Sequence, residues 1–500
     1  MERLLQVVNT FATVTQGSGL HIYAIIATVL LLISLVGFIY YCVKGGNLII
    51  GLFITATFWF LLGVTYSLWS ASVNSQIESF KDAWNIFAGN LNLVFSDGPI
   101  NYGTTTTVII FASWFGRVIV DTGIAKALIK KVVELSGDMQ LVTVIVLSIV
   151  TALLFTSIFG PGSVMAIGAI ILPILLTIGV NKKVAVGSFL MAVAAGMYVN
   201  KGFSIQFSTN PFFEQIWSIP GFASDFTVFT WLAFLVHVVF MIGFIVFNMY
   251  FAKDKIKSWA MADDGMEKEV KGISFIVPFI PAIISLTIAI INMFLPANVQ
   301  PTATSPGVIN QITDVAAITS FVIGIILGLA LTGNLKTYKK AIETSQKTLF
   351  NGISDVALLI GMLLVLNMFS TAASKLAAPI FQTALGDSLN GLANNPIWIV
   401  VAFAILAPLA LFRGPFMVWG SGIALVTVMS TFIPATTPLL LVLFYVQPVA
   451  IVAQSCPTQS WGMWALSYAK YEPNTFIKTN IPWAWAICAI NIFLAYFILM

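Results

Sequence analysis

Long apolar segments, interrupted by short polar breaks, follow one another along the whole chain. In the first half they predict membrane spans, a re-entrant helix pair and a broken helix, in the order 21–42, 47–69, 104–128, 141–180 (the pair), 184–217 (the broken helix) and 226–250. The second half repeats that order at 273–295, 312–332, 354–378, 396–430 (the pair), 437–468 (the broken helix) and 482–500. The pattern predicts an all-α polytopic membrane protein.

The two halves are predicted to be inverted repeats. If each re-entrant pair enters and leaves the membrane on one side, each half makes five crossings, and an odd number of crossings inverts the second half. The segment Thr122–Asp138 aligns without gaps to Thr371–Asp387. We expect a first repeat at 1–250, a cytoplasmic linker at 251–272 and a second repeat at 273–500.

Lysines are concentrated in the loops of one side. Sixteen of them fall in the loops 44–46, 129–140, 181–183, 251–272, 334–349 and 469–480. The opposite side holds Arg3 and Lys81. By the positive-inside rule the lysine-rich loops are cytoplasmic, which predicts both termini outside and a multi-pass protein of the inner (plasma) membrane.

Composition agrees with a protein whose partner is the lipid bilayer. Hydrophobic residues make up 59% of the chain, charged residues 8%, and the mean hydropathy is +0.98. The net charge of +4 gives no indication of nucleic acid. Three cysteines and two histidines are too few and too scattered for a disulfide framework or a metal cluster, so no cofactor is expected.

Four short interruptions lie inside this apolar sequence. They are FGPGS at 159–163, QFSTNP at 206–211, FRGPF at 412–416 and AQSCPT at 453–458. Irregular backbone at membrane depth is tolerated where protein or a watery cavity satisfies it. Paired interruptions in corresponding positions of two halves indicate the substrate site of a transporter.

Two cations stand beside these interruptions. Arg413 lies at a re-entrant turn that should reach the middle of the bilayer, where a guanidinium is costly and suits a carboxylate. The alternative is that Arg413 pairs with an acid such as Asp355. Lys201, just before the first polar break, is the second candidate for binding an anion.

The other intramembrane cations favour structural roles. Arg117 and Asp121 are spaced for an ion pair within one helix. Lys126 and Lys375 are repeat-equivalent, and each is expected to extend to the membrane surface.

The polar breaks offer hydroxyl and amide groups. Ser208, Thr209 and Asn210 stand in the first break, and Ser455 and Thr458 stand in the second. Where half-helices meet, their N-termini attract anions and freed carbonyls can hold Na⁺, so Asn210 and Ser455 mark an expected Na⁺ site. The alternative is a proline kink whose backbone is satisfied by the hydroxyls.

The chain resembles the ion transporter superfamily of secondary carriers, which includes the citrate, C4-dicarboxylate and gluconate symporters. The order of elements carries the resemblance, together with GIAKALIKKVVELSGD, the FGPGS and FRGPF turns, and the STNP and SCPT breaks. The resemblance implies a substrate and cation site formed by residues of both halves, at Gly162, Ser163, Ser208, Thr209, Asn210, Arg413, Gly414, Ser455 and Thr458.

The resemblance also implies a homodimer in which a transport domain slides against a scaffold. The transport domain would comprise 141–217 and 396–468, and the scaffold would comprise 21–69, 226–250, 273–332 and 482–500. The chain departs from the divalent-anion/sodium branch because it lacks that branch's Ser-Asn-Thr hairpin signature.

The leading functional hypothesis is a symporter that couples a cation, H⁺ or Na⁺, to the uptake of a small organic anion such as a carboxylate, by an elevator-type mechanism. A sodium/proton antiporter on the same scaffold is the alternative, although the broken segments contain no acidic pair. An intramembrane enzyme is disfavoured because no nucleophile-base set is evident.

Overall fold

The computed structural model describes residues 2–44, 46–74, 76–136, 139–251, 272–293, 295, 317–385, 396–420, 422–430, 433–434 and 437–500. Within that part of the chain every regular element is a helix. Six helices are long and apolar enough to cross a membrane, or seven if one bent pair counts as a span. The prediction of an all-α polytopic membrane protein is confirmed.

The helices of the first half are α1 Glu2–Val43, α2 Leu48–Val73, α3 Phe80–Asn92, α4 Gly103–Asp121, α5 Ile124–Ser136, α6 Gln140–Phe155, α7 Pro161–Thr177, α8 Lys182–Met197, α9 Lys201–Ser208 and α10 Phe222–Phe251. A π-helical segment (Leu93–Asp97) and a short turn (Gly98–Asn101) join α3 to α4, and a 3₁₀ turn (Glu214–Ser218) precedes α10.

The second half contains α11 Ile280–Met293, α12 Ala317–Leu331, α13 Tyr338–Thr371, α14 Ala378–Leu385, α15 Pro396–Leu406, α16 Gly422–Met429, α17 Leu439–Gln447, α18 Ser460–Ala469 and α19 Pro473–Leu499. A 3₁₀ segment (Gly272–Phe279) leads into α11, and π-helical segments (Ala372–Ala377 and Pro448–Ala453) extend α13 and α17. Most of the predicted linker, 252–271, lies outside the described residues.

The third predicted span is displaced. Instead of 104–128, a helical run extends from Phe80 to Asp121. It ends there because Gly123 takes a positive φ of 86°, and the Gly123 N–H donates to the Val120 carbonyl at 3.0 Å.

The first helix pair, α6 and α7, has the dimensions of a re-entrant hairpin. The two helices have 16 and 17 residues, or about 24–26 Å each, less than the roughly 30 Å of a hydrocarbon core. Gly160, with a φ of 106°, turns the chain into α7. This geometry supports the predicted hairpin; its side of entry stays a prediction.

The second hairpin turns differently. Near the end of the 3₁₀ segment Ala407–Arg413, Phe412 takes the left-handed conformation with a φ of 55°, which is uncommon for a bulky residue. Gly414 follows it, and a Cβ at this position would clash with the Leu409 carbonyl.

Each of the two predicted broken helices is interrupted. The second one breaks between α17 and α18 at 456–459, which overlaps the predicted AQSCPT segment. The first one bends by 54° between α8 and α9, at 198–200. The predicted QFSTNP break at 206–211 is instead the place where α9 ends.

Two groups of helices pack around a central pair. Helices α4 and α13 run antiparallel, since Gly98 lies next to Thr371 while Asp121 accepts a hydrogen bond from Asn351. Helices α1, α2, α12 and α14 pack around that pair. Helices α10 and α19 pack chiefly on α8, α17 and each other. The packing thus groups 226–250 and 482–500 with the predicted transport segments rather than with the scaffold.

We expect Gly196→Ala to lower the melting temperature of the protein. A Cβ at Gly196 would press on the backbone of α6, at the Ala152 carbonyl and at Phe155, and such overpacking costs about 1–3 kcal/mol. The matched control is Gly361→Ala, also within a helix, whose new Cβ meets nothing within 4 Å. Melting in detergent, followed by fluorescence size-exclusion, should separate the two; equal melting temperatures would contradict the close α6–α8 packing.

Candidate functional site

A cavity of about 330 Å³ lies where the four sequence interruptions come together. Phe159, Gly160 and Pro161 of the first hairpin turn form part of its wall. Residues from or next to the other three interruptions complete that side, at Gln206, Met417, Trp419, Gln459, Ser460 and Trp461. Helix α13 contributes Asp355, Leu358, Leu359 and Met362 to the same wall.

The walls of this cavity are mostly apolar. Aromatic and methionine side chains predominate, and the polar side chains among the described lining residues are those of Asp355, Gln206, Gln459 and Ser460. The Nε1 atom of the buried Trp419 has no hydrogen-bond partner among the described residues. A volume near the lower end of the 300–1,000 Å³ range of ligand pockets, with a few polar groups, suits a small molecule with an apolar body.

Two helices begin at the cavity wall, one from each half. Helix α7 starts at Pro161 and α18 starts at Ser460. The first N–H groups of a helix have no partner within it and carry a positive partial charge. No side chain caps the α18 start, so the N–H groups of its first turn suit an anionic group.

A charged network lies beside the cavity. The Arg117 guanidinium donates to both carboxylate oxygens of Asp355, from Nε at 2.5 Å and from Nη2 at 2.6 Å. Arg117 Nη1 lies 3.7 Å from Asp121, which also accepts a hydrogen bond from Asn351 at 3.2 Å. The predicted Arg117–Asp121 pair is therefore present, and Asp355 is the closer partner.

Sequence reasoning named Asp355 only as an alternative partner of Arg413. The side chain of Arg413 lies outside the described residues, and the partner that the structure gives to Asp355 is Arg117. The sequence could have identified Asp355 as a candidate site residue, because an aspartate inside an apolar span is itself an indication of a functional site. Lys126 and Lys375 are both exposed, and their extension to the membrane surface stays a prediction.

The two residues predicted at the first hairpin turn lie just behind the cavity wall. Gly162 faces Asp355 so closely that a Cβ there would collide with the carboxylate. Ser163 is fully buried, packs against Gly116 of α4, and its hydroxyl has no partner among the described residues.

The hydroxyl and amide groups of the first polar break already have partners. Ser208 and Thr209 each donate to the Ile205 carbonyl, at 3.2 and 2.9 Å, and the Thr209 hydroxyl is also hydrogen-bonded to the Thr105 hydroxyl of α4. Asn210 accepts a bond from the Phe212 N–H at 3.1 Å. These bonds are what we expect of a proline kink whose backbone is satisfied by hydroxyl groups. The residue of this break whose side chain lines the cavity is Gln206. Lys201 opens α9 and is half-buried.

The bend that precedes α9 is held by Asn200. Its side chain is fully buried, donates to the carbonyls of Phe155 and Ile158 at 2.9 and 3.0 Å, and accepts the Gly202 N–H at 2.9 Å. Asn200 thereby ties the broken helix to the first hairpin turn.

The second hairpin turn and the second break are in contact. The Phe412 N–H donates to Cys456 Sγ at 3.4 Å, and Cys456 Sγ lies 3.0 Å from the Thr458 hydroxyl. Gly414 and Ser455 are buried, and the Ser455 hydroxyl has no partner among the described residues.

Neighbouring helices hold this second break in place. His237 of α10 lies 3.1 Å from Gln454 Oε1, and Asn480 of α19 donates to the Gln454 carbonyl at 3.1 Å. Trp461, on the cavity side, donates to the Ala453 carbonyl at 3.0 Å. His237, which composition alone gave no reason to select, is therefore part of the support of the break.

The predicted site residues surround the cavity without forming its described wall. The interruptions do converge, but the side chains that reach the cavity are their neighbours. Substrate binding by Gly162, Ser163, Lys201, Ser208, Thr209, Asn210, Arg413, Gly414, Ser455 and Thr458 stays a prediction, as does Na⁺ binding near Asn210 and Ser455.

Comparison with known proteins gives limited guidance. No protein-family model and no curated protein matches the sequence. Among solved structures, the chain is similar to MtrF of Neisseria gonorrhoeae, an antimetabolite efflux pump, with 12% identity, 84% of each chain covered and a TM-score of 0.43. A likeness this weak carries no argument about function, and the resemblance to the ion transporter superfamily stays a prediction.

We expect Asn200→Ala to destabilise the protein by about 2–4 kcal/mol, because two buried carbonyls and a helix N-terminus lose their partner. Thermal unfolding in detergent measures the loss. Asn248→Ala is the control, since Asn248 is also buried but bonds only within its own helix, to the Phe244 carbonyl. Similar losses in both variants would show that Asn200 does not hold the bend.

Proposed function

We propose that this protein is a secondary active transporter that couples a cation to the symport of a small organic anion, a carboxylate with an apolar body. The observation that carries the proposal is the cavity at the four interruptions, with its apolar walls and the two helix N-termini. An anionic group and a small hydrophobic body are what such a site favours.

In the proposed complex the two parts of the substrate contact different walls. The apolar body packs against Phe159, Met197 and Trp419. The carboxylate faces the start of α7, beside Asp355, and a second polar group of the substrate faces the first turn of α18, next to the Ser460 hydroxyl. The unpartnered indole N–H of Trp419 is a further donor.

The position of the cavity also supports an elevator-type movement. Helix α13 forms one part of its wall, and segments that pack with α8 and α17 form another. We propose that the second group, including α10 and α19, moves relative to α4, α13 and the helices around them. A homodimer in the inner membrane, with both termini outside, is part of the same proposal.

A sodium/proton antiporter remains the second candidate. The Asp121–Arg117–Asp355 network supplies a pair of acids beside the cavity that the broken segments lack. Buried carboxylates are the groups on which proton and cation exchangers depend.

Uptake into proteoliposomes tests the proposal. Lactate and mandelate carry the same hydroxy-acid group but a methyl or a phenyl body, and succinate and gluconate extend the panel. We expect mandelate to accumulate faster than lactate under an imposed Na⁺ or pH gradient, relative to protein-free vesicles. Exchange of Na⁺ for H⁺ without uptake of any carboxylate would overturn the proposal in favour of the antiporter.

We expect Trp419→Ala to raise the KM for mandelate at least tenfold, because the cavity loses an aromatic wall and a hydrogen-bond donor. The KM for lactate should change less. Trp398→Ala, at a tryptophan whose exposed fraction is 71%, is the control. An unchanged KM for mandelate in Trp419→Ala would show that substrate does not occupy this cavity.

A further inference from the structure

We propose that Asp355 is an internal competitor of the substrate carboxylate and the acceptor of the coupling proton. In the absence of substrate the Asp355 carboxylate forms an ion pair with the Arg117 guanidinium. When a proton neutralises Asp355, Arg117 is released and binds the carboxylate of the substrate. The inference rests on the proposed symport and names its coupling ion as H⁺.

The geometry at Arg117 is that of carboxylate recognition. Nε and Nη2 form two parallel bonds to the two oxygens of Asp355, the arrangement in which a guanidinium binds any carboxylate. Asp355 lines the cavity and Arg117 lies directly behind it. A substrate carboxylate that enters from the cavity therefore reaches Arg117 through the place that Asp355 holds.

A second positive group stabilises an anion at the same place. The Asp355 carboxylate fills the space that a side chain at Gly162 would need, against the first turn of α7. The free N–H groups of that turn favour a negative charge whether it comes from Asp355 or from the substrate. The exchange thus replaces one carboxylate with another in an unchanged environment.

The charged groups around Asp355 allow this exchange. Helix α4 presents Arg117 and Asp121, and α7 contains no titratable residue. Asp97 lies near the far end of α13, beside Gly98 and Thr371. Asp121, held by Asn351, keeps the other side of the guanidinium in position while Asp355 leaves.

The charge balance of the step is simple. A proton from the aqueous phase adds to one Asp355 oxygen, and the two N–H donors of Arg117 pass to the substrate carboxylate. One positive and one negative charge then cross together and are released in the reverse order. Transport is therefore electroneutral, with one proton for each monocarboxylate.

Binding of radiolabelled mandelate to the purified, full-length protein tests the exchange. Where binding of the anion requires uptake of one proton, the apparent affinity of wild type should fall about tenfold for each unit by which the pH rises. Asp355→Asn should bind with no such dependence, and Arg117→Gln should not bind. Asp225→Asn, at an exposed aspartate in the first turn of α10, should keep the wild-type dependence.

Retention of the full pH dependence by Asp355→Asn would overturn the inference. Transport by wild type decides the matter even if that variant does not fold. Uptake of mandelate should acidify the vesicle interior, and its rate should not change with a membrane potential set by a potassium gradient and valinomycin. Uptake whose rate changes with that potential, without acidification, would overturn the inference. Absence of mandelate uptake by wild type would instead count against the proposed function.

Discussion

Every backbone polar group that a helix break exposes inside a bilayer needs a partner from the protein. In this molecule distant side chains supply those partners. Asn200 binds the carbonyls of the first hairpin turn, while Asn480 and Trp461 bind carbonyls at the second break. These bonds tie each interruption to a neighbouring helix. The positions of the hairpin turns and breaks, and the shape of the cavity between them, therefore depend on these bonds.

A second constraint acts on charge. Moving a charged side chain from water into the protein costs free energy, and burying one charged side chain without its partner costs more than burying the ion pair. The contact between Arg117 and Asp355 therefore fixes α4 against α13. Since the same contact faces the cavity, the interaction that joins the two halves also sets the electrostatics of the site.

The helices could be predicted from the sequence because apolar length alone indicates a membrane span. The hairpin turns and the second break could be predicted because Gly and Pro mark them. The bend at 198–200 could not, since Asn200 depends on carbonyls more than forty residues earlier in the chain. The location of the cavity followed from the interruptions, but its side chains did not. Ser208 donates to a local carbonyl, while Thr209 and Asp355 also bond to partners 104 and 238 residues away, Thr105 and Arg117.

The two hairpins also differ in the energy that their turns store. Gly160 adopts its positive φ without strain, whereas Phe412 adopts one at a cost of about 1–2 kcal/mol. That cost is returned whenever the second turn opens, so backbone strain by itself favours opening of the second turn over opening of the first. The two hairpin turns thus differ in stored backbone strain, and the strained one is the second.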